Sequence, residues 1–387
     1  MAKTLVAYTD QVDDPDLAMQ EIAEQLELET KLLKNSIGII ACHREFVMSG
    51  TAQAVCARLP FDVVGAMTSS LSAPGNTGAL LMSVMVITAD DVEFVSQLTP
   101  TLEQDSAAVV YESYKRAARP EPGKPALVLA FAPFMRQNSG DDYVKMLSEA
   151  SDNAPVFGTI AVDDTEDASN CFTVFNDEYY ADRLAMVLVY GNLSPKFYRA
   201  NVSLDKVLGK SAVVTKSEGH VLMEVNGHHV SVFLEELGLT KASETQYAML
   251  QLPLLLDYND GSPPVSKAFV SLTPQKHALC AAAIPEGSTL YVARYDKADV
   301  LLTTEQAAER IQQDLEGASG LLVFSCISRS MTLGFDHFGE MEIVSRLISG
   351  KLPYMMACSG GEICPTKVSE GHAVNRFHNN ALVACLL

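Results

Sequence analysis

The chain has no CxxC pair, no long Lys/Arg cluster, no GxxxxGK[ST] phosphate loop and no Gly-x-Ser-x-Gly elbow. Each absence closes a class. Without CxxC pairs, zinc ribbons and thioredoxin-like redox centres are excluded. Without the two glycine motifs, P-loop nucleotide chemistry and α/β-hydrolase chemistry lose their local signatures. Basic residues number 28 against 48 acidic ones, a net charge of −20. That balance repels nucleic acid and anionic membrane surfaces. The longest apolar runs, such as 79–89 and 126–134, fall short of the roughly 20 residues that a membrane span needs. The first residues, MAKTLVAYTDQVDDPD, reach acids too soon for a signal peptide. Together these features predict a soluble, cytoplasmic protein with no nucleic-acid partner and no membrane insertion.

What is present points to ample cores. The 387 residues are 48% hydrophobic and 20% charged, and that length predicts two domains. Eight cysteines are scattered, most of them inside apolar runs such as Ile40-Ala41-Cys42. In such places a thiol acts as a small hydrophobe in a reducing compartment.

A helix–strand–helix–strand pattern recurs three times. In the first copy Asp14-Pro15 opens a helix with an N-cap and a first-turn proline. Strands follow at 37–42, 62–67 and 79–88, with a helix over 47–59 between the first two. The second copy has helices over 103–118 and 141–150, strands at 126–132, 155–162 and 184–190, and an acidic loop at 163–167. The third copy opens with Thr304 as N-cap. It has strands at 321–326 and 353–358, a helix over 340–349 and a final apolar strand, 380–387. Between the second and third copies, residues 198–299 read differently: a β-hairpin (212–215 and 220–225, turning at 216–219), then a helix over 230–237. Short apolar strands alternating with helices predict an α/β fold of mixed sheets covered by helices. The turn formers of 191–195 place a boundary that divides the chain into 1–195 and 196–387.

Several segments resemble one family in its own order. Val64-Gly65-Ala66-Met67-Thr68 and the Gly158 strand are similar to two steps of the N-terminal FIST region. The hairpin around Gly219 with Asn226-Gly227, then Phe324-Ser325-Cys326 with Arg329 and Leu333-Gly334, then Gly361-Glu362-Ile363 and His378-Asn379, resemble successive steps of the C-terminal FIST region (F-box and intracellular signal transduction). The resemblance implies an α/β protein of two FIST-type domains, prokaryotic, sensing a small ligand, with amino acids suggested, and signalling to a partner such as a histidine kinase. A subset of the family resembles haem-binding nitric-oxide sensors. The aromatic-rich stretch that often precedes Gly-Glu-Ile in the family is here Ala357-Cys358-Ser359-Gly360.

The residues carry their own chemistry. Arg329 follows a buried strand, where a guanidinium clamps a ligand carboxylate or pairs with an internal acid such as Glu362. Glu362 lies in a Gly-Gly-Glu loop, where Gly361 admits close backbone approach and the carboxylate can receive an ammonium. His378 and Asn379 precede the final strand, where an imidazole bonds a ligand, ligates haem or braces a loop. Cys326 and Cys358 end strands, as haem ligands, as a minor cysteine-dependent catalytic alternative, or as inert core. His228-His229 reads as surface. Gly65, Thr68 and Gly158 sit at the carboxyl ends of strands, where open α/β sheets bind ligands. These ten residues (Gly65, Thr68, Gly158, Cys326, Arg329, Cys358, Gly361, Glu362, His378, Asn379) form the expected ligand site. The alternatives are a haem sensor and a ligand-free interaction module.

Overall fold

In a computed structural model, residues 2–120, 123–135, 137–164, 171–238 and 252–387 are described. Residues 165–167 of the acidic loop lie outside them. The chain is mixed α/β. Three six-stranded sheets share one strand plan. The first runs, in spatial order, Lys3–Thr9, Met82–Ala89, Asn35–Cys42, Val63–Met67. The second runs Val92–Leu98, Ala185–Gly191, Leu127–Ala132, Val156–Ile160. The third runs Lys196–Ala200, Leu382–Leu386, Leu321–Cys326, Tyr354–Ser359. In each, the two middle strands of the repeat pair in parallel and the others antiparallel.

Each repeat also sends out a hairpin, and none of the three hairpins stays at home. The first repeat's hairpin, Leu71–Ala73 with Asn76–Gly78, completes the third sheet. The second repeat's, Thr173–Phe175 with Glu178–Tyr180, completes the first. The third repeat's, Glu362–Ser369 with His372–His378, completes the second. The exchange closes a ring. Hydrogen bonds finish it at the strand ends: Cys358 N–H to Ser70 O (2.9 Å), Met67 N–H to Phe172 O (3.0 Å) and Ile160 N–H to Gly361 O (3.0 Å).

The inner faces of all three sheets build one core, in which Phe131, Phe157 and Phe324 meet. The outer faces are covered by helices: Pro15–Leu26 and Thr51–Cys56, Ser106–Ala117 and Gly140–Ala150, Lys297–Gln313 and Gly339–Ile348. Strands buried on both faces read as unbroken apolar runs, which is why they stand out in the sequence.

Four expectations are corrected. The segment expected between copies is an insertion within the third repeat, whose first strand is Lys196–Ala200; the insertion has its own core around Val214, Leu254 and Leu290. Thr304 is not an N-cap. Its helix starts earlier, where Asp296 and Asp299 form a reciprocal capping box. The helix expected over 47–59 is two short helices, Arg44–Met48 and Thr51–Cys56, broken at Gly50 with φ +83°. The hairpin in the insertion turns later than 216–219, between Glu218 and Val221. Asp14 does cap the first helix, accepting from Leu17 N–H at 3.0 Å. All eight cysteines are buried.

Candidate functional site

The shared register aligns the repeats residue by residue. Gly65, Gly158 and Ala357 stand opposite Ile40, Ala130 and Phe324. Two residues on, Met67, Ile160 and Ser359 stand opposite Cys42, Ala132 and Cys326. Three further on come Ser70, Asp163 and Glu362. The positions matching Met67 and Ile160, and Ser70 and Asp163, are polar in the third repeat, as Ser359 and Glu362. Asp163 has Arg44 at 3.8 Å. Glu362 has no such partner.

Glu362 is fully buried, and neither carboxylate oxygen has a hydrogen-bond partner. Its polar neighbours are Ser359 and Cys326, but the Ser359 hydroxyl donates to Gly361 O at 2.8 Å. Burial pushes the carboxyl well above the ordinary carboxylate range, against the opposing pull of Arg329. Empty, the site holds Glu362 as a neutral acid.

Arg329 does not supply the missing charge. Its Nη2 and Nε bond Glu340 at 2.6 and 2.9 Å. The rest of the guanidinium meets Tyr295, Thr304, Ala200 O and Val300 O. The side chain is 0% exposed. The internal acid is therefore Glu340, one turn into the next helix, rather than Glu362, and every face of the guanidinium is used.

A different arginine is free. Arg199, on the opening strand of the third repeat, is half-buried, and its guanidinium has no hydrogen-bond or ion-pair partner among the described residues. Desolvation lowers its pKa. It adjoins Cys364 and His378. Burial pushes the Cys364 thiol up to about 12; Arg199 pulls it down and Glu362 adds to the rise. Arg199 and Glu362 thus both act on the Cys364 thiol.

His378 is paired in register with Glu362 on the neighbouring strand. Its Nε2 bonds Cys364 O at 3.1 Å, which makes that nitrogen the donor. Its Nδ1 is buried without a partner, as is Asn380 Nδ2. Desolvation, then Arg199, lowers its pKa to about 3, so the ring is neutral. A buried polar atom left unpaired costs about 1–3 kcal/mol. Four such atoms lie on Glu362, His378 and Asn380, and each calls for a partner.

The other expected residues divide. Cys326 belongs to the cluster; its thiol accepts from the Ser328 hydroxyl at 3.1 Å. Burial, then Glu362, raises its pKa, so it is no nucleophile at neutral pH. Cys358 is pushed up to about 12 by burial. Of the expected haem ligands, His378 Nε2 is bonded to Cys364 O, and both thiols are buried. Gly65 and Gly158 do not approach a ligand. A Cβ on either would sit 1.8 Å from the carbonyl oxygen of Ile40 or Ala130, so glycine is there for strand packing. Thr68 bonds Cys358 O at 2.8 Å and joins the exchanged hairpin to its sheet. Gly361, at φ +155°, leaves room for the Phe377 ring, 2.2 Å from where a Cβ would be. Asn379 belongs to the insertion's grip: its N–H donates to Ser266 O at 3.0 Å and its Oδ1 accepts from Ala268 N–H. Beside it the fully buried Lys267 bonds Asp141 and Phe377 O, both at 2.8 Å. His229 caps the helix Val230–Glu236. Arg199, Cys364 and Asn380 were not legible as site residues. The one available signal was an arginine in the alternating strand Lys-Phe-Tyr-Arg-Ala.

The buried acid gives a testable pH dependence. A carboxyl whose folded pKa is raised contributes stability below its ordinary value of 4.5 and loses it as pH rises through the folded value. Glu362→Gln is expected to raise the melting temperature at mildly alkaline pH. The gain is about 1.4 kcal/mol for each tenfold of raised proton affinity, and it vanishes near pH 4.5. Melting curves across pH check this; a gain independent of pH would contradict the neutral-acid assignment. His378 acts in the opposite sense. Its contribution is full above 6.5 and is lost as pH falls toward about 3.

Comparison with known proteins adds the family. A search of curated proteins finds no match. Among solved structures, a cyanuric acid hydrolase from A. caulinodans aligns over 100% of this chain and 99% of its own, at 11% identity and a TM-score of 0.34; that likeness carries no conclusion about activity. The FIST N domain profile matches residues 36–228 and the FIST C domain profile residues 230–365. The chain belongs to the FIST family, whose domains are sensory, ligand-binding modules of signal transduction rather than catalysts.

Proposed function

We propose that this protein is a cytoplasmic sensor of a small zwitterion, an amino acid or a related amino carboxylate. In this reading the ligand is held in the third repeat between Arg199 and Glu362. The observations behind it are the Arg199 guanidinium, without a partner among the described residues, and the two unpaired oxygens of Glu362, both groups acting on the Cys364 thiol. A guanidinium with all its donors free receives a carboxylate. A buried carboxyl with two free oxygens receives an ammonium. His378 Nδ1 accepts a further ligand N–H, and Asn380 Nδ2 donates to a ligand oxygen. Phe197, two residues before Arg199 on the same face of its strand, lines a groove of about 410 Å³. Residues 1–195 then serve as scaffold, and 196–387 carry the ligand groups and the insertion that grips His378's strand. The signal passes to a separate partner, a histidine kinase being one candidate.

An ammonium ligand draws the proton from Glu362. Binding is therefore expected to release about one proton and to tighten as pH rises, by up to about tenfold per pH unit below the folded pKa of Glu362. Calorimetry of one amino-acid ligand in buffers of different ionisation enthalpy measures the proton count. Binding without proton release would sink the assignment of Glu362 to the ammonium.

A further inference from the structure

Phe335 is 105% exposed, standing clear of the surface of the third repeat. It follows the helix Ile327–Leu333, at a break where Gly334 adopts φ +63°. Beside it lies a groove of about 550 Å³, lined by Phe335 itself and by Leu301, Phe338 and Ile343. The groove is narrow because Gly339 packs directly on Leu301, 2.9 Å from where a Cβ would be. A knob and an apolar hole thus share one patch. Among the described residues nothing covers the knob.

The charges on the rim decide the occupant. Asp336 is paired with Lys297, and Arg346 touches Glu305 through one Nη at 2.9 Å. Glu342 and Arg346, four residues apart on the helix Gly339–Ile348, flank the groove with opposite signs. For a chain of net charge −20, self-association is repulsive over most of the surface. Here the rim is nearly balanced. A two-fold axis through the patch seats each Phe335 in the facing groove and sets each Glu342 against the facing Arg346, whose Nε and second Nη are open. A patch holding both a knob and its hole is self-complementary only in that arrangement.

We infer that this patch is the two-fold interface of a homodimer, with Phe335 as its central anchor. The placement couples the dimer to the interior. Phe335 lies between Arg329 and Glu340, so the buried ion pair braces the loop that presents it. Buried aromatic anchors dominate interface energies, and rim charges set orientation.

Sedimentation velocity of the full chain at micromolar concentrations tests it. Wild type is expected at twice the chain mass. Phe335→Asp should weaken the dimer by about 30-fold or more with an unchanged far-UV circular dichroism spectrum, since the side chain is fully exposed in its own chain. Glu342→Arg should weaken it as well, and adding Arg346→Glu should restore it. A monomeric wild type, or a dimer that survives Phe335→Asp, overturns the inference.

Discussion

Arg329→Ala is expected to lower stability by about 3–5 kcal/mol, the loss that follows when one member of a buried ion pair is removed. The reason is what stays behind. Glu340, 3% exposed, would keep bonds only from the hydroxyls of Thr304 and Ser325. Its charge would lie in a low-dielectric interior without a cation. Tyr295 and the carbonyls of Ala200 and Val300 would lose their donor in the same step. These partners come from the opening strand, the long helix and the final helix of the third repeat, so one side chain binds three elements. Replacing both charges, as Arg329→Met with Glu340→Leu, should return much of the loss, because apolar pairs of similar volume substitute well for buried ion pairs. Chemical denaturation of the single and double variants measures the difference. A single variant within about 1 kcal/mol of wild type would show that the pair does not hold the repeat together. Arg329→Ala is also expected to leave ligand affinity intact in whatever fraction folds, since the guanidinium has no free donor to give.

Gly158→Ala is expected to abolish accumulation of soluble protein. The new Cβ would stand 1.8 Å from the Ala130 carbonyl oxygen and 2.8 Å from its carbon. Backbone atoms cannot rotate away as a side chain does. The parallel pair Leu127–Ala132 and Val156–Ile160 would have to separate, and with it the seat of the exchanged hairpin, which joins at Gly158 and Thr159. The cost lies at or beyond the roughly 4–5 kcal/mol that marks the extreme of single substitutions. Gly227→Ala is the control. No atom lies within 4 Å of its Cβ, but its φ of +76° costs about 1–2 kcal/mol. Expression and thermal melting distinguish the two. A well-folded Gly158→Ala protein would mean that these strands are not packed this closely.

The legible part of the fold was the part buried on both faces. Val156–Ile160 and Leu321–Cys326 are central strands, and their apolar runs needed no partner information to be read. The exchange of hairpins was not legible. Leu71–Ala73 pairs with a strand, Tyr354–Ser359, more than 280 residues away, and a three-residue strand carries no record of its partner. The opening strands were missed because edge positions alternate: Lys196–Ala200 is exposed at one end and buried at the other. At the candidate site, Glu362, His378 and Arg329 were legible from their motifs, but the motifs do not show that Arg329 is bonded to Glu340. A cation after a buried strand looks like a clamp, and only the packing of the following helix shows that Glu340 has taken it. Arg199 has no glycine, loop or motif beside it. Its role follows from standing across from the exchanged hairpin, which is a property of the assembled ring.

The most direct measurement is a thermal-shift titration of the common α-amino acids at millimolar concentration against wild type, Arg199→Ala and Glu362→Gln. A ligand present at about 100 times its dissociation constant stabilises by about 2.7 kcal/mol. At least one amino acid should raise the wild-type melting temperature by an amount that grows with concentration. Arg199→Ala, which breaks no bond in the empty protein, should weaken that response about 100-fold, the loss of a charge-assisted clamp. Glu362→Gln should weaken it as well, while itself melting no lower than wild type. If no amino acid shifts wild type, or if a shift persists unchanged in both variants, Arg199 and Glu362 do not form the ligand site.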